Sequence, residues 1–369
     1  MIKEILDKGI ENYKNRISRV KEIYFSVLDK VPEEEGKVWQ IKDKALFNEI
    51  ILNFVTGLDQ EKAKGDLSEL YDIVFHRPTQ SIIIANKGAT LFSLTEKKET
   101  PHLLRHIGMC VYNPRIGVEY ANVGLVGNVY DNRVVLRTES ACTPSFLFGS
   151  QRCNCYYQWK NIRQLAASFN KIKAPKLKNG DEFESWVQKQ FVYDKGRHIY
   201  KKDSKTGFVL LHIDSQNGMG SGFTKDEFVF DLSERASMRH RGEYSAEQTY
   251  KTTMYGGFTT IGIDGDPRKE TGGAGYMITP IIMDFLQVNK NVIMLTNNPL
   301  KINAMEKSGY NITRVKSIGA VNIAGATEAT QRGSEFNHLD INGTLTSFKE
   351  DYKRVKKEIK KLLRGNYEN

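Results

Sequence analysis

The sequence predicts an α/β fold, with mixed α+β sheets flanked by helices and an extra helical region at the N-terminus. Three observations predict it. From Met1 to about Leu70, apolar residues such as Ile5, Ile10, Ile17, Val20, Ile23, Tyr24, Val27 and Leu28 recur at three and four spacing, one face of a helix. Beyond Pro78 the pattern changes to short β-rich runs broken by glycine and asparagine, among them "SIIIAN", "ATLFSL", "CVYN" and "GVEYANVGLVGNVYDNRVVLRTES". In the second half, helical stretches fall between strands, the order expected of an α/β or α+β domain.

Taken in order, "YYQWKNIRQLAASF" at 156–169 reads as a helix, and the lysine-rich, proline-containing stretch to about Thr206 as an inserted loop or hairpin. The strand "GFVLLHI" resumes the core. A glycine-rich turn follows, then helices from about Lys225 to Tyr255, a second glycine-rich stretch, a helix at "YMITPIIMDFLQV" and the strand "VIMLTNN". The expected organisation is an N-terminal helical extension at 1–75, a main domain at 76–345 with an insertion at about 170–205, and a basic C-terminal helix at 346–369. No internal repeat and no long low-complexity segment interrupts it.

Composition narrows the function. No stretch approaches the roughly 18 uninterrupted apolar residues of a membrane span, and "MIKEILDKGIENYKNR" is no signal peptide, so a soluble, cytoplasmic protein without a membrane partner is expected. The formal net charge of +10 would suit an anionic partner. Much of it is local, however, in "NKIKAPKLKNG", "YDKGRHIYKKDSKTG" and the tail "KEDYKRVKKEIKKLLRGN", which read as solvated surface, and nucleic acid is not the expected partner. His102 and His106 could share a helix face and bind metal, but no third ligand is near, and they read as ordinary histidines.

Four cysteines argue against a disulfide framework. Cys110 stands apart and reads as buried packing. Cys142, Cys153 and Cys155 form C-x10-C-x-C between a strand and a helix. Three thiolates leaving a fourth position to water are the catalytic pattern for zinc, and such a site lowers the pKa of its water towards neutrality. Buried thiols, or a structural zinc completed by His212 or His240, are the alternatives that spacing leaves open.

The segment "VVLRTESACTPSFLFGSQRCNCYYQ" resembles the zinc motif of GTP cyclohydrolase II, with the same cysteine spacing, the arginine before it and the glutamine after it. In the family's order follow "SQNGMGSGF", similar to its glycine-rich turn, "VIMLTNNPLKINAMEKSGYNITRV", similar to its threonine-asparagine-asparagine-proline strand and loop, and "SEFNHLD", similar to its C-terminal signature. The resemblance covers roughly Gly124 to Asp340 and implies a GTP cyclohydrolase II-like fold for the main domain. It implies a homodimeric zinc hydrolase that attacks C8 of guanine, releases formate and cleaves pyrophosphate with help from Mg2+ where the substrate is a di- or triphosphate. By position, Cys142, Cys153 and Cys155 would bind one Zn2+ per chain. Arg137 would meet phosphate, and Gln158, Thr296 and Lys301 would be nucleotide contacts, with Asn217 and Gly218 in the glycine-rich turn.

The chain also departs from the family. Where the family has glutamate-glycine-arginine it has Asn217, Gly218 and Met219, so both charges are missing. Asp266 and Arg268 fall at the spacing of the family's proton-accepting aspartate and phosphoryl-accepting arginine, with extra residues before the next helix. The family's tyrosine has only Phe230 at its ungapped position, and Arg235, Arg239 and Arg241 could supply phosphate donors or form a salt-bridged helix face. Three functions follow as expectations: opening of GTP, opening of a pyrimidine nucleotide as in divergent relatives linked to uracil catabolism, or nucleotide binding with weakened turnover.

Overall fold

In the computed structural model the described residues are 15, 18–32, 36–54, 66–86, 90–94, 102–114, 117–130, 133–140, 154–171, 192–194, 199–201, 206–213, 274–323, 325–326, 329–330, 333, 337–340 and 343–364. Side chains are described for these residues apart from 90–94, 102–106, 140, 155, 192–194, 199–201 and 274–275. The chain divides into two compact units, one of Met1–Ala89 with Ile107–Tyr120, the other of Thr90–His106 with Ala121–Asn369.

In the first unit, residues 18–30 form α1, and the three-and-four spacing buries Val20, Ile23, Tyr24 and Val27 while Leu28 stays exposed. The helical pattern expected as far as Leu70 is interrupted. Val38–Gln40 is a short strand, β1, before helix α2 (Lys44–Phe54), because its valine and tryptophan find a partner strand: Trp39 pairs with Phe75. Strands β2 (Tyr71–His76) and β3 (Ser81–Asn86) follow, with β4 (Thr90–Leu94), β5 (His102–Asn113) and β6 (Gly117–Val126) after them. Within this unit the order is β1-β2-β3-β5, all antiparallel. Phe47, Ile50, Ile51 and Phe54 of α2 join α1 over Ile73, Phe75, Ile82 and Ile84 in one apolar cluster. Cys110 belongs to it, buried, its thiol 3.8 Å from the Phe54 carbonyl oxygen. Residues 102–108 are strand, not helix: His102 and His106 lie on β5.

The second unit contains β7 (Arg133–Ser140), helix α3 (Asn154–Asn170), the paired strands β8 (Val192–Asp194) and β9 (Ile199–Lys201) within the expected insertion, and β10 (Gly207–Ile213). Helix α4 (Ile278–Phe285), β11 (Asn291–Leu295), α5 (Pro299–Lys307), β12 (Asn311–Val315) and α6 (Phe348–Arg364) complete it. Strand order is β6-β10-β7-β11-β12, in which β10, β7, β11 and β12 run parallel and β6 antiparallel to β10, while β4 pairs with the first part of β5. All of β10 is buried, as the unbroken apolar run of an inner parallel strand requires. Trp159, Ile162, Leu165 and Ala166 of α3 and Val355 and Ile359 of α6 close over Val135, Phe208, Leu210, Ile293 and Leu295. The tail forms an amphipathic helix, α6, docked through its apolar residues, with Lys349, Lys353, Lys357, Lys360, Lys361 and Arg364 exposed as the expected solvated surface. Gly127 has φ +74°, and a Cβ there would lie 2.2 Å from the Thr206 carbonyl oxygen, so only glycine fits this turn. The described architecture is mixed α/β with helices packed on the sheet. No helix among the described residues is long and apolar enough to cross a membrane.

Candidate functional site

Parallel strands end on the same side, and here the ends of β7, β11 and β12 open into a cavity of about 110 Å³. Crevices outside the carboxyl ends of parallel strands are where open α/β sheets bind ligands. Residues two apart on a strand share a face, so Arg137 and Glu139 of β7 both reach the cavity. Their side chains are each only 11% exposed and form an ion pair through Nε and Nη2 of the arginine. Nη1 donates to the Leu295 carbonyl at 2.6 Å and to Ser317 Oγ at 2.5 Å. One guanidinium thus ties together the ends of three strands.

The "TNNP" segment acquires a local explanation at the end of β11. Asn298 is the N-cap of α5, its Oδ1 accepting from Leu300 N at 2.9 Å, and Pro299 takes the first helical position, where its missing N–H costs nothing. Thr296 Oγ1 accepts from Asn298 N at 3.1 Å, and Asn298 Nδ2 donates to Tyr276 Oη at 3.1 Å. Lys301, in the first turn of α5, is 6% exposed; its Nζ donates to Thr138 O at 3.2 Å and lies 6.0 Å from the Tyr276 ring centroid. A cation at a helix N-terminus, where the helix itself favours negative charge, is an arrangement that can attract an anion.

Also lining the cavity, residues 316–320 after β12 form a loop fixed by groups from several elements. Arg354 donates to the carbonyls of Lys316 and Ser317, Gln158 to Ile318 O at 2.8 Å, Asn154 to Gly319 O at 3.0 Å and Thr346 N to Ala320 O at 2.8 Å. Asp351 accepts from Gly319 N at 2.7 Å and from Thr346 Oγ1 at 2.9 Å, and Asn297 Oδ1 accepts from Ser317 N at 3.2 Å. Asn154 Oδ1 keeps no hydrogen-bond partner among the described residues. At the rim, the Arg314 guanidinium beside Asp340 holds that carboxyl below its usual value.

Of the residues singled out in the sequence, Arg137, Gln158, Thr296 and Lys301 all line this cavity. Cys155 lies in the first turn of α3, next to Asn154, and only its backbone is described. Cys142, Cys153, Asn217, Gly218, Phe230, Arg235, Arg239, His240, Arg241, Asp266 and Arg268 lie outside the described residues. Among the described residues no group of three or more His, Cys, Asp or Glu is placed to hold a metal ion. His212, a considered fourth ligand, is buried with its ring 4.0 Å from that of Trp159, centroid to centroid. Sequence reasoning passed over Glu139, Asn154, Ser317 and Asp351. Only Glu139 carried a local signal, its alternation with Arg137 on a strand.

No model of a known protein family matches the chain, and no curated protein matches it.

Proposed function

We propose that the chain is a zinc-dependent hydrolase that opens the ring of a nucleotide base, with chemistry of the GTP cyclohydrolase II kind. The observation that supports the reading is convergence: Arg137, Gln158 and the segment that carries both Thr296 and Lys301, three stretches well separated in sequence, line one cavity at the carboxyl ends of parallel strands. Cys142, Cys153 and Cys155 would hold one zinc ion, which on three thiolates supplies a water of near-neutral pKa. Cys142 follows the end of β7 by two residues and Cys155 opens α3, and both elements line the cavity. Lys301 and the N-terminus of α5 would bind substrate phosphate, with Mg2+ where more than one phosphate is present. Asn217 and Gly218 would approach the base, Asp266 would accept a proton and Arg268 would receive a phosphoryl group.

A second substrate reading, a pyrimidine nucleotide with a single phosphate, is favoured by one observation. The Arg137 guanidinium is already neutralised by Glu139 and bonded to Leu295 O and Ser317, so it offers a triphosphate little charge. Met219 in place of an arginine points the same way. The test is incubation of the purified chain with zinc and magnesium and, separately, GTP, GMP, UTP or UMP, with products followed by mass spectrometry and Cys153→Ser as control. Formate and a diaminopyrimidine from GTP, absent with the variant, are the expected result. Ring-opened product only from a uridine nucleotide moves the chain to the second substrate. Zinc bound at one per chain with no product from any of the four would sink the hydrolase reading.

A further inference from the structure

Helix α6 carries eight Lys and Arg against three Asp and Glu, so its 17 residues hold a net +5, half of the formal +10 of the whole chain. That charge is ordered by the way the helix docks. Val355 and Ile359 are buried in the core of the second unit, and Phe348, Tyr352, Leu362 and Leu363 are half-buried against the same cluster. What faces outward is a ladder of Lys349, Lys353, Lys357, Lys360, Lys361 and Arg364, every one exposed, along about 22 Å of helix.

Steps of three and four residues place like charges side by side, an arrangement that destabilises a helix unless something relieves it. Two of the helix's three acids are turned to other work, and the third, Glu350, stands exposed in the first turn. Asp351 serves Gly319 N, Thr346 and Arg354, and Glu358 pairs with Arg354. Among the described residues none of the six ladder cations forms an ion pair. At the start of the ladder the fold adds aromatic rings. Tyr157 of α3 meets Phe348 with centroids 5.8 Å apart, and Phe348 stacks on Tyr352 at 6.4 Å with planes 23° apart. Lys160 lies 5.7 Å from the Phe348 centroid and Lys356 5.7 Å from that of Tyr352.

We infer that the outer face of α6, with Tyr157, Phe348 and Tyr352 at its head, binds single-stranded nucleic acid. The ladder neutralises phosphates, and the partly exposed rings receive bases by stacking, which every base permits. A bilayer is the poorer occupant, because an amphipathic helix grips lipid through its apolar face and here the protein core fills that face. A duplex keeps its base faces stacked and has nothing to offer the rings. Composition alone argued for solvated surface; the reversal comes from the ladder together with Phe348 and Tyr352 on the same helix and Tyr157 of α3, which folding brings beside them. The inference is independent of the reaction proposed for the cavity.

The experiment is fluorescence anisotropy of the full chain with labelled oligouridylate and oligothymidylate of about 20 nucleotides, titrated between roughly 50 and 200 mM salt. Lys353→Gln, Lys357→Gln and Lys361→Gln combined change only exposed side chains and keep good helix formers. This variant should bind at least about tenfold more weakly at low salt, and its slope of log affinity against log salt should fall by about 2, three lost contacts at about 0.7 each. Tyr352→Leu should weaken binding with the slope unchanged, because stacking releases no counterions. Circular dichroism checks that both variants fold. Absence of binding at micromolar protein, a slope that the triple variant leaves unaltered, a base-paired hairpin bound as tightly as the single strand, or capture by phosphatidylserine vesicles without capture of either oligonucleotide would each overturn the inference.

Discussion

Arg137 and Glu139 stand two residues apart on β7, and each supplies the other's counter-charge where water hardly reaches. The partners of Arg137 beyond β7, Leu295 O and Ser317 Oγ, are 158 and 180 residues away in sequence. That is why the arginine was legible as a site residue, through the motif around it, while its duty as a strap between strands was not. Gln158 repeats the lesson, since the amide assigned to a nucleotide is hydrogen-bonded to Ile318 O, 160 residues on. For Arg137 to touch a phosphate, Glu139 must share it. Removing the carboxylate has a definite consequence: Glu139→Ala leaves a buried guanidinium without its counter-ion and should cost about 3 kcal/mol in urea unfolding. Arg137→Met in the Glu139→Ala background should recover part of that loss, because no unpaired charge then remains. A cost under about 1 kcal/mol for Glu139→Ala would show that solvent already screens the pair.

Elements were legible where a single local period decides them. Helix α3, strand β10 and strand β11 lie where their apolar patterns predict. Strand β1 was not, because three residues carry no period and their strand character comes from pairing with β2. The packing of α1 on β5 leads to a pH prediction. Tyr24 of α1 and Tyr112 of β5 meet edge to face, centroids 5.2 Å apart, and Phe54 of α2 adds an edge at 5.6 Å. Burial, then the neighbouring Tyr24, pushes the Tyr112 phenol up to about 12, and burial raises Tyr24 as well. The folded chain therefore keeps a proton that the unfolded chain loses near pH 10. Below that pH the contribution is intact, and between about pH 10 and pH 12 the Tyr112 phenol should lower stability by up to about 1.4 kcal/mol per pH unit. Tyr112→Phe should flatten this decline in urea unfolding measured across that range. An equally steep decline in the variant would assign the alkaline sensitivity elsewhere.

At the scale of the molecule, the fold class was legible because it rests on counting alternations, whereas the first unit gathers Ile107–Tyr120 onto Met1–Ala89 through the pairing of β3 with β5, a long-range choice that no local pattern announces. The proposed metal is a claim at this scale too, since it concerns how separate stretches are held together. Cys142 comes two residues after β7 and Cys155 in the first turn of α3, so a zinc ion bound by them and Cys153 would clasp the strand end that carries Arg137 to the helix that carries Asn154 and Gln158. Such a clasp exists only in the folded chain, and a ligand that binds only the folded state stabilises it in proportion to the logarithm of its excess. With free zinc about a thousandfold above its dissociation constant, the gain is about 4 kcal/mol. For a unit of this size that is roughly 10 °C in Tm. Chelation should therefore lower Tm by that amount and release one zinc per chain, while Cys153→Ser should melt near the lower temperature with or without chelator. A chain that holds no zinc and melts unchanged after chelation would return the three cysteines to ordinary thiols and remove the metal from the proposed reaction.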